Sequence, residues 1–202
     1  MIMQKILLAT SNRHKYLEFS RLLYPLTLEA LPEDLKRLLP NETAKSYRDN
    51  AKLKGMALSE IYEGFVLADD SGLEVFSLHG EPGIFSSRYA GEGSSAQENI
   101  DKLLKNLQSK NITDRRARFV CALVLVKKKK ILFETTAFCY GIIADRQKGG
   151  GGFGYDPIFI PEGYSLTMAE LDEKQKDLVS HRGKACQELK AFFLENRMEG
   201  HS

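Results

Sequence analysis

The chain is poor in cysteine. Cys121, Cys139 and Cys186 are its only three, widely spaced and without a C-x-x-C pair. That pattern fits a reducing, cytoplasmic setting better than a disulfide framework or a zinc site. Charge of either sign is not in excess: 29 Lys and Arg against 27 Asp and Glu leave a net charge of +2. There is thus no electrostatic case for nucleic acid or membrane as an obligatory partner. No apolar run approaches the roughly 20 residues that cross a bilayer. Met1 to Ala9 carries one Lys and passes directly into periodic sequence, so a first strand is expected there rather than a signal peptide. No internal repeat, linker or low-complexity segment divides the chain. Residues 1–202 are expected to form a single α/β domain. G-x-x-x-x-G-K-[ST] is also missing, so any phosphate site is not an ordinary P-loop.

What is present is ordinary for a globular protein: 43% hydrophobic and 28% charged residues over 202 positions, enough for a substantial core or two lobes sharing a sheet. Ile6 to Ala9 has strand length, and Tyr16, Phe19, Leu22 and Leu23 mark a following helix. Pro25, Pro32 and Pro40 argue against a long helix in the next stretch. Thr43 to Glu63 is a second helix candidate, and Phe65 to Ala68 a buried strand. Leu73 to Phe76 alternates like another short strand, and Gly80 to Gly93 is an irregular loop. Capping-box spacing at Ser95–Glu98 and Thr167–Glu170 predicts helix starts. Arg118 to Val126 and Ile131 to Ile143 predict a long hairpin, its tip Lys127 to Lys130 solvated rather than a nucleic-acid patch. Ile158 to Ile160 is a short strand, and Ala185, Leu189, Phe192 and Phe193 line a last helix.

Chemistry concentrates in three places. Leu67-Ala68-Asp69-Asp70-Ser71-Gly72 is expected to end a strand in a turn carrying two carboxylates. A solvated Asp turn and a metal or water-activating site both fit it. An aspartyl-phosphate phosphatase would place D-x-D there, with both acids on one face; adjacent acids point apart unless the backbone turns. Thr10-Ser11-Asn12-Arg13-His14-Lys15 joins a strand to a helix N-terminus, which favours anions, although on this segment alone a plain N-cap with Lys15 on the surface fits better. Glu42 adds a third acid. Phe153, after the run Gly149 to Gly152, can lie flat on a base. Lys176, Ser180, His181 and Arg182 are mostly donors, which suits a keto oxygen and disfavours an exocyclic amine.

These segments resemble the inosine triphosphate pyrophosphatase (ITPase) family of house-cleaning nucleotide hydrolases. The resemblance rests on Thr10-Ser11-Asn12 with Lys15, Glu42-Thr43, Asn50-Ala51 with Lys54, and Ala68 to Gly72. It continues through Pro82-Gly83-Ile84 with Ser86 and Arg88-Tyr89, then Gly152 to Phe159, and Lys176 with Ser180 to Gly183, in order along nearly the whole chain. It implies an α/β fold: a long twisted mixed β-sheet flanked by helices, in two lobes around a central cleft, usually as a homodimer. It implies Mg²⁺-dependent hydrolysis of the non-standard purine triphosphates ITP, dITP and XTP to monophosphate and pyrophosphate. By position it makes Asp70 the general base and, with Glu42, a metal ligand. Thr10, Ser11, Asn12, Arg13, His14, Lys15 and Lys54 then handle phosphates, and Ser71 lines the site. Phe153 stacks on the base, and Gly154, Tyr155, Asp156, Lys176, His181 and Arg182 hold the nucleoside end. Asp69 has no clear role. Phe85 stands where Tyr is expected, and Lys148 to Gly152 is unusually Gly-rich. A non-catalytic nucleotide sensor and a pyrimidine-directed pyrophosphatase are the alternatives.

Overall fold

In the computed structural model, residues 5–110 and 112–199 are described, with side chains to residue 196. Met1 to Gln4 of the expected first strand lie outside the described residues. Six strands form a mixed sheet in the order β2-β1-β3-β4-β5-β6. They are β1 (Lys5–Leu8), β2 (Thr27–Glu29), β3 (Phe65–Val75), β4 (Arg116–Lys127), β5 (Lys130–Ile143) and β6 (Phe159–Pro161). β1 runs parallel to both β2 and β3, whereas β5 and β6 are antiparallel. The helices are α1 (Arg13–Leu22), α2 (Glu33–Lys36), α3 (Tyr47–Ser59), α4 (Ala96–Ser109), α5 (Glu173–Val179) and α6 (His181–Glu199). None is long and apolar enough to cross a membrane. The expected α/β class holds, with helices flanking a mixed sheet.

The chain divides into two compact units. The first comprises residues 1–70, 121–137 and 182–202; the second comprises 71–120 and 138–181. The first has two cores. On one, Leu67 of β3 packs with Phe19 of α1, Leu123 of β4 and Cys186 and Leu189 of α6. On the other, Val66 and Ala68 of β3 pack with Leu58 of α3. Consecutive β3 residues thus enter different cores, as the period of two in an extended chain requires. In the second unit Leu73, Leu103, Phe119, Ile158 and Phe159 share one core. Each such fully buried side chain contributes about 1.5–3 kcal/mol.

Several expected boundaries move. β3 does not end in a turn at Asp69; it is one strand of 11 residues through Ser71 and Gly72 to Val75, absorbing the separate strand expected from Leu73. Asp, Ser and Gly have turn chemistry, but tertiary partners override it: the Leu73 N–H donates to the Ser86 hydroxyl at 2.9 Å. Thr43 to Ser46 is not helical, and Ser46 caps α3 by accepting from the Asp49 N–H. The Ser95–Glu98 capping box starts α4 as expected. The Thr167–Glu170 spacing closes a non-helical turn instead, with the Thr167 N–H donating to Glu170 at 2.8 Å. The box that starts α5 is Asp172 with Gln175. The hairpin tip turns at Lys128 and Lys129, both at positive φ (48° and 59°). That backbone matches the twist of the flanking strands.

Candidate active site

β3 carries Asp69 and Asp70 side by side, and its alternation sends them to different helices. Asp69 is 1% exposed and accepts from Lys15 Nζ of α1 at 2.7 Å. Burial alone would raise its carboxyl, but the charges of Lys15, Lys54 and Arg182 together win and hold it well below the ordinary carboxylate range. Asp70 is 4% exposed and accepts from Asn50 Nδ2 of α3 at 3.0 Å. Here burial wins over Lys54, Glu42 adds its repulsion, and the carboxyl is pushed up to about 6. One acid is locked as an anion; its neighbour is poised near neutrality, where a general base works best.

Lys54 stands four residues after Asn50, on the same face of α3. Its ammonium donates to Glu42 Oε1 at 2.6 Å. Burial opposes its charge, yet Asp69, Glu42 and Asp70 raise its pKa. The fit of this half-site to a divalent cation follows from its donors. Asp70 and Glu42 are near enough for one to repel the other's charge. They are hard oxygen ligands, and one or two carboxylates completed by phosphate oxygens and water is the usual Mg²⁺ arrangement on a polyphosphate.

The Thr10–Lys15 loop opens α1. Asn12 is the N-cap, its Oδ1 accepting from the N–H groups of His14 (2.9 Å) and Lys15 (3.2 Å). The Asn12 N–H donates to Thr10 Oγ1 at 3.1 Å. Ser11, Asn12, Arg13 and His14 are exposed, and Lys15 is turned inward to Asp69. The N-cap reading holds: Asn12 shapes the turn.

In the second unit Phe153, Asp156 and Lys176 make one cluster. Asp156 Oδ2 accepts from the Phe153 N–H at 2.9 Å and from Lys176 Nζ at 2.8 Å. The Lys176 ammonium lies 5.4 Å from the half-buried Phe153 ring centroid. The glycines here are a requirement rather than a source of looseness. Gly152 has φ +71°, and a Cβ there would sit 2.1 Å from Asp156 Oδ2. Gly149, at φ +79°, would meet the Ala169 backbone at 2.6 Å. The Gly154 φ of 62° completes the bend into buried Tyr155. Tyr155 is a scaffold: its hydroxyl donates to the Ser86 carbonyl at 2.9 Å, and burial pushes its pKa up. Ser71 is half-buried at the start of this unit. Phe85, where Tyr was expected, is 54% exposed and lies beneath the Arg88 guanidinium.

The donors expected together at Lys176 to Arg182 are shared out. His181 is 4% exposed, and its ring stacks on Phe119 of the second unit at 4.8 Å. Arg182 belongs to the first unit, where Nη1 donates to Glu18 Oε2 at 3.0 Å. Two residues were given no role from the sequence: Asn50, quoted only for the resemblance, and Glu18. Asn50 was detectable, since it lies four residues before Lys54 on one helix. Glu18 gave only a weak sign, its spacing of three from Lys15.

The comparisons with known proteins span nearly the whole chain. The Ham1 family model matches residues 6–192. A dITP/XTP pyrophosphatase of Oceanobacillus iheyensis is 44% identical over 194 residues, covering 95% of this chain and 98% of that protein. One from Staphylococcus epidermidis is 40% identical over 193 residues, covering 95% and 97%. Among solved structures, a HAM1 protein from Coxiella burnetii superposes with TM-score 0.83 at 35% identity, covering 96% of this chain and all (100%) of that one. The Staphylococcus aureus Ham1 protein gives 0.80 at 40% identity, with coverage of 96% and 100%. With residues 6–192 matched by the family model and relatives 40–44% identical over nearly its full length, the chain belongs to the Ham1 family.

Proposed function

We propose that Asp70 activates the water in a nucleoside-triphosphate pyrophosphatase that hydrolyses non-standard purine triphosphates, ITP, dITP and XTP, to monophosphate and pyrophosphate. The activity is the one in the names of the full-length relatives, so the sensor and pyrimidine-directed alternatives recede. The observation that carries the mechanism is the Asp70 carboxyl, buried on the α3 side, bonded to Asn50 and within reach of the charges of Lys54 and Glu42. As general base, Asp70 takes a proton from water attacking the α-phosphorus, and Asn50 orients the carboxylate. Lys15 and Lys54 neutralise charge on the pyrophosphate leaving group. Glu42 and Asp70 would hold Mg²⁺, which supplies Lewis-acid charge stabilisation at the phosphates.

Asp69 acquires a role that the motif alone did not give it: it holds Lys15 inward from the phosphate loop. Phe153 stacks on the base, while Asp156 fixes both its backbone and the Lys176 ammonium. His181 and Arg182 serve the nucleoside end. Residues 1–202 act as one catalytic domain, a homodimer in the cytoplasm, with no nucleic-acid or membrane partner. The test is pyrophosphate release from ITP, dITP, XTP and ATP with Mg²⁺. Expected is a preference for the first three over ATP by about 100-fold or more in kcat/KM. Comparable turnover of ATP, or no pyrophosphate from ITP, would overturn the reading.

A further inference from the structure

We infer that Asn50 is a positioning residue that couples the two acids of the half-site. Through one amide it fixes both the backbone behind Glu42 and the carboxylate of Asp70, so that the two acids meet the same divalent cation. This rests on the reading of Glu42 and Asp70 as metal ligands, and it goes beyond the orientation of Asp70 alone. Every residue concerned lies in the first unit. Asn50 stands near the start of α3 and is 0% exposed. A buried amide is costly unless its ends are hydrogen-bonded. Its oxygen accepts from the Ala44 N–H at 2.9 Å, and its nitrogen donates to Asp70 Oδ2 at 3.0 Å. Each bond fixes the sense of the other. A backbone N–H can only donate, so the amide oxygen must face Ala44, and the –NH₂ group then faces the carboxylate.

Helix formation does not account for this side chain. Asn is a middling helix former, Ser46 already caps α3, and the Asn50 N–H goes to the Ser46 carbonyl at 3.1 Å. The demand comes from the segment before the helix. Glu42 to Ala44 belongs to no helix or strand, so no ladder of backbone bonds holds it. A carboxylate carried there needs an outside partner to keep its place, as metal ligands generally do. Lys54 reaches Glu42 at 2.6 Å, but from the end of a flexible stem, so it follows the carboxylate rather than fixing the backbone. Asn50 is short, and it grips the backbone two residues from Glu42. The frame behind it is firm. α3 lies so close on β3 that a Cβ at Gly55 would be 3.4 Å from that of Ala68, two residues before Asp70. One amide on that helix therefore sets the loop acid and the strand acid together.

The test is a double-variant cycle of the native chain, Glu42→Gln, Asn50→Leu and the two combined. The first readout is Mn²⁺ affinity of the nucleotide-free protein, measured by electron paramagnetic resonance. The others are the Mg²⁺ activation constant for ITP hydrolysis and Tm. Asn50→Ala repeats the cycle in case leucine overpacks the site. Glu42→Gln should weaken Mn²⁺ binding at least about 10-fold, and Asn50→Leu roughly 10- to 100-fold. Without the amide the Glu42 segment is no longer held at the ion. In the Asn50→Leu background Glu42→Gln should therefore cost no more than about threefold. The Mg²⁺ activation constant should rise about 10-fold in Asn50→Leu. An amide that served only the turn before α3 would lower Tm and leave the Mn²⁺ affinity of the folded protein native. An amide that oriented Asp70 alone would leave the Glu42→Gln effect undiminished in the Asn50→Leu background. Either result would overturn the inference. If Glu42→Gln by itself leaves Mn²⁺ affinity native, the reading of Glu42 as a metal ligand fails, and the coupling with it.

Discussion

The two faces of β3 at Asp69 and Asp70 are built from the same residue type and differ in almost everything else. On the α1 face, Asp69 meets Lys15 directly and feels Lys54 and Arg182; three cations outweigh its burial. On the α3 face, Asp70 has a neutral amide as its hydrogen-bond partner and Glu42 as a repelling neighbour, and burial dominates. Neither depth nor sequence position explains the contrast, since both acids are nearly inaccessible and adjacent. Lys15 and Lys54 act on both acids, so the contrast comes from the direct Lys15 bond and Arg182 at Asp69 against the repulsion of Glu42 at Asp70. A locked anion holds a lysine in place; a carboxylate with a raised pKa can take a proton. Two adjacent acids thereby do two jobs without a turn between them.

The strongest way to break this contrast is Asp70→Asn. It should lower kcat on ITP by roughly 10³-fold, within the range for loss of a general base, with a smaller change in KM. A loss confined to KM would make Asp70 a binding group only. Asp69→Asn should act differently, releasing Lys15 and weakening both fold and turnover. Urea denaturation should show roughly 3 kcal/mol lost, as for other buried pairs deprived of one partner. The kcat/KM should drop about 10- to 100-fold as Lys15 is misplaced. If Asp69→Asn instead matched Asp70→Asn in kcat at full stability, the division of labour would be wrong. The smallest effect is expected in the second unit. Tyr155→Phe removes only the hydrogen bond to the Ser86 carbonyl. It should cost about 1 kcal/mol and leave kcat/KM within about twofold, sharpening the distinction between scaffold and ligand-facing residues.

Much of this was legible in residue order. The strand–loop–helix opening, the hairpin and the Ser95 box all appear where periodicity and capping chemistry put them. The rule that adjacent acids in extended chain point apart also held. What misled was local: Asp69 to Gly72 is turn-like in composition, and its extended state depends on Lys15, Asn50 and Ser86, all distant in sequence. β2 has only three residues, between Pro25 and Pro32, too few to show a period. Glu18 was hidden for the same reason as the strand: a Glu on a helix is expected in solvent, and its partner lies near the other end of the chain. Pro82 to Tyr89, quoted for the resemblance, is largely scaffolding, with Ser86 bridging Leu73, Gly83 and Tyr155. Motif matching cannot separate such residues from ligand-facing ones.

The most direct test of the contrast is the Tm of Asp70→Asn against the native chain at pH 7.5 and pH 4, without nucleotide or divalent metal. The sign follows from proton linkage. A carboxyl raised to about 6 when folded binds protons more tightly there than in the unfolded chain, where its pKa is about 4. Native stability therefore falls as pH rises from about 4 to about 6, and the neutral amide of the Asp70→Asn variant escapes that loss. Asp69 carries the opposite sign: its depressed pKa supplies stability above about 4 that is lost on further acidification. Asp70→Asn is expected to melt about 2–10 °C above native at pH 7.5, with the gap closing by pH 4. A variant that melts below native at pH 7.5, as Asp69→Asn should, would contradict it.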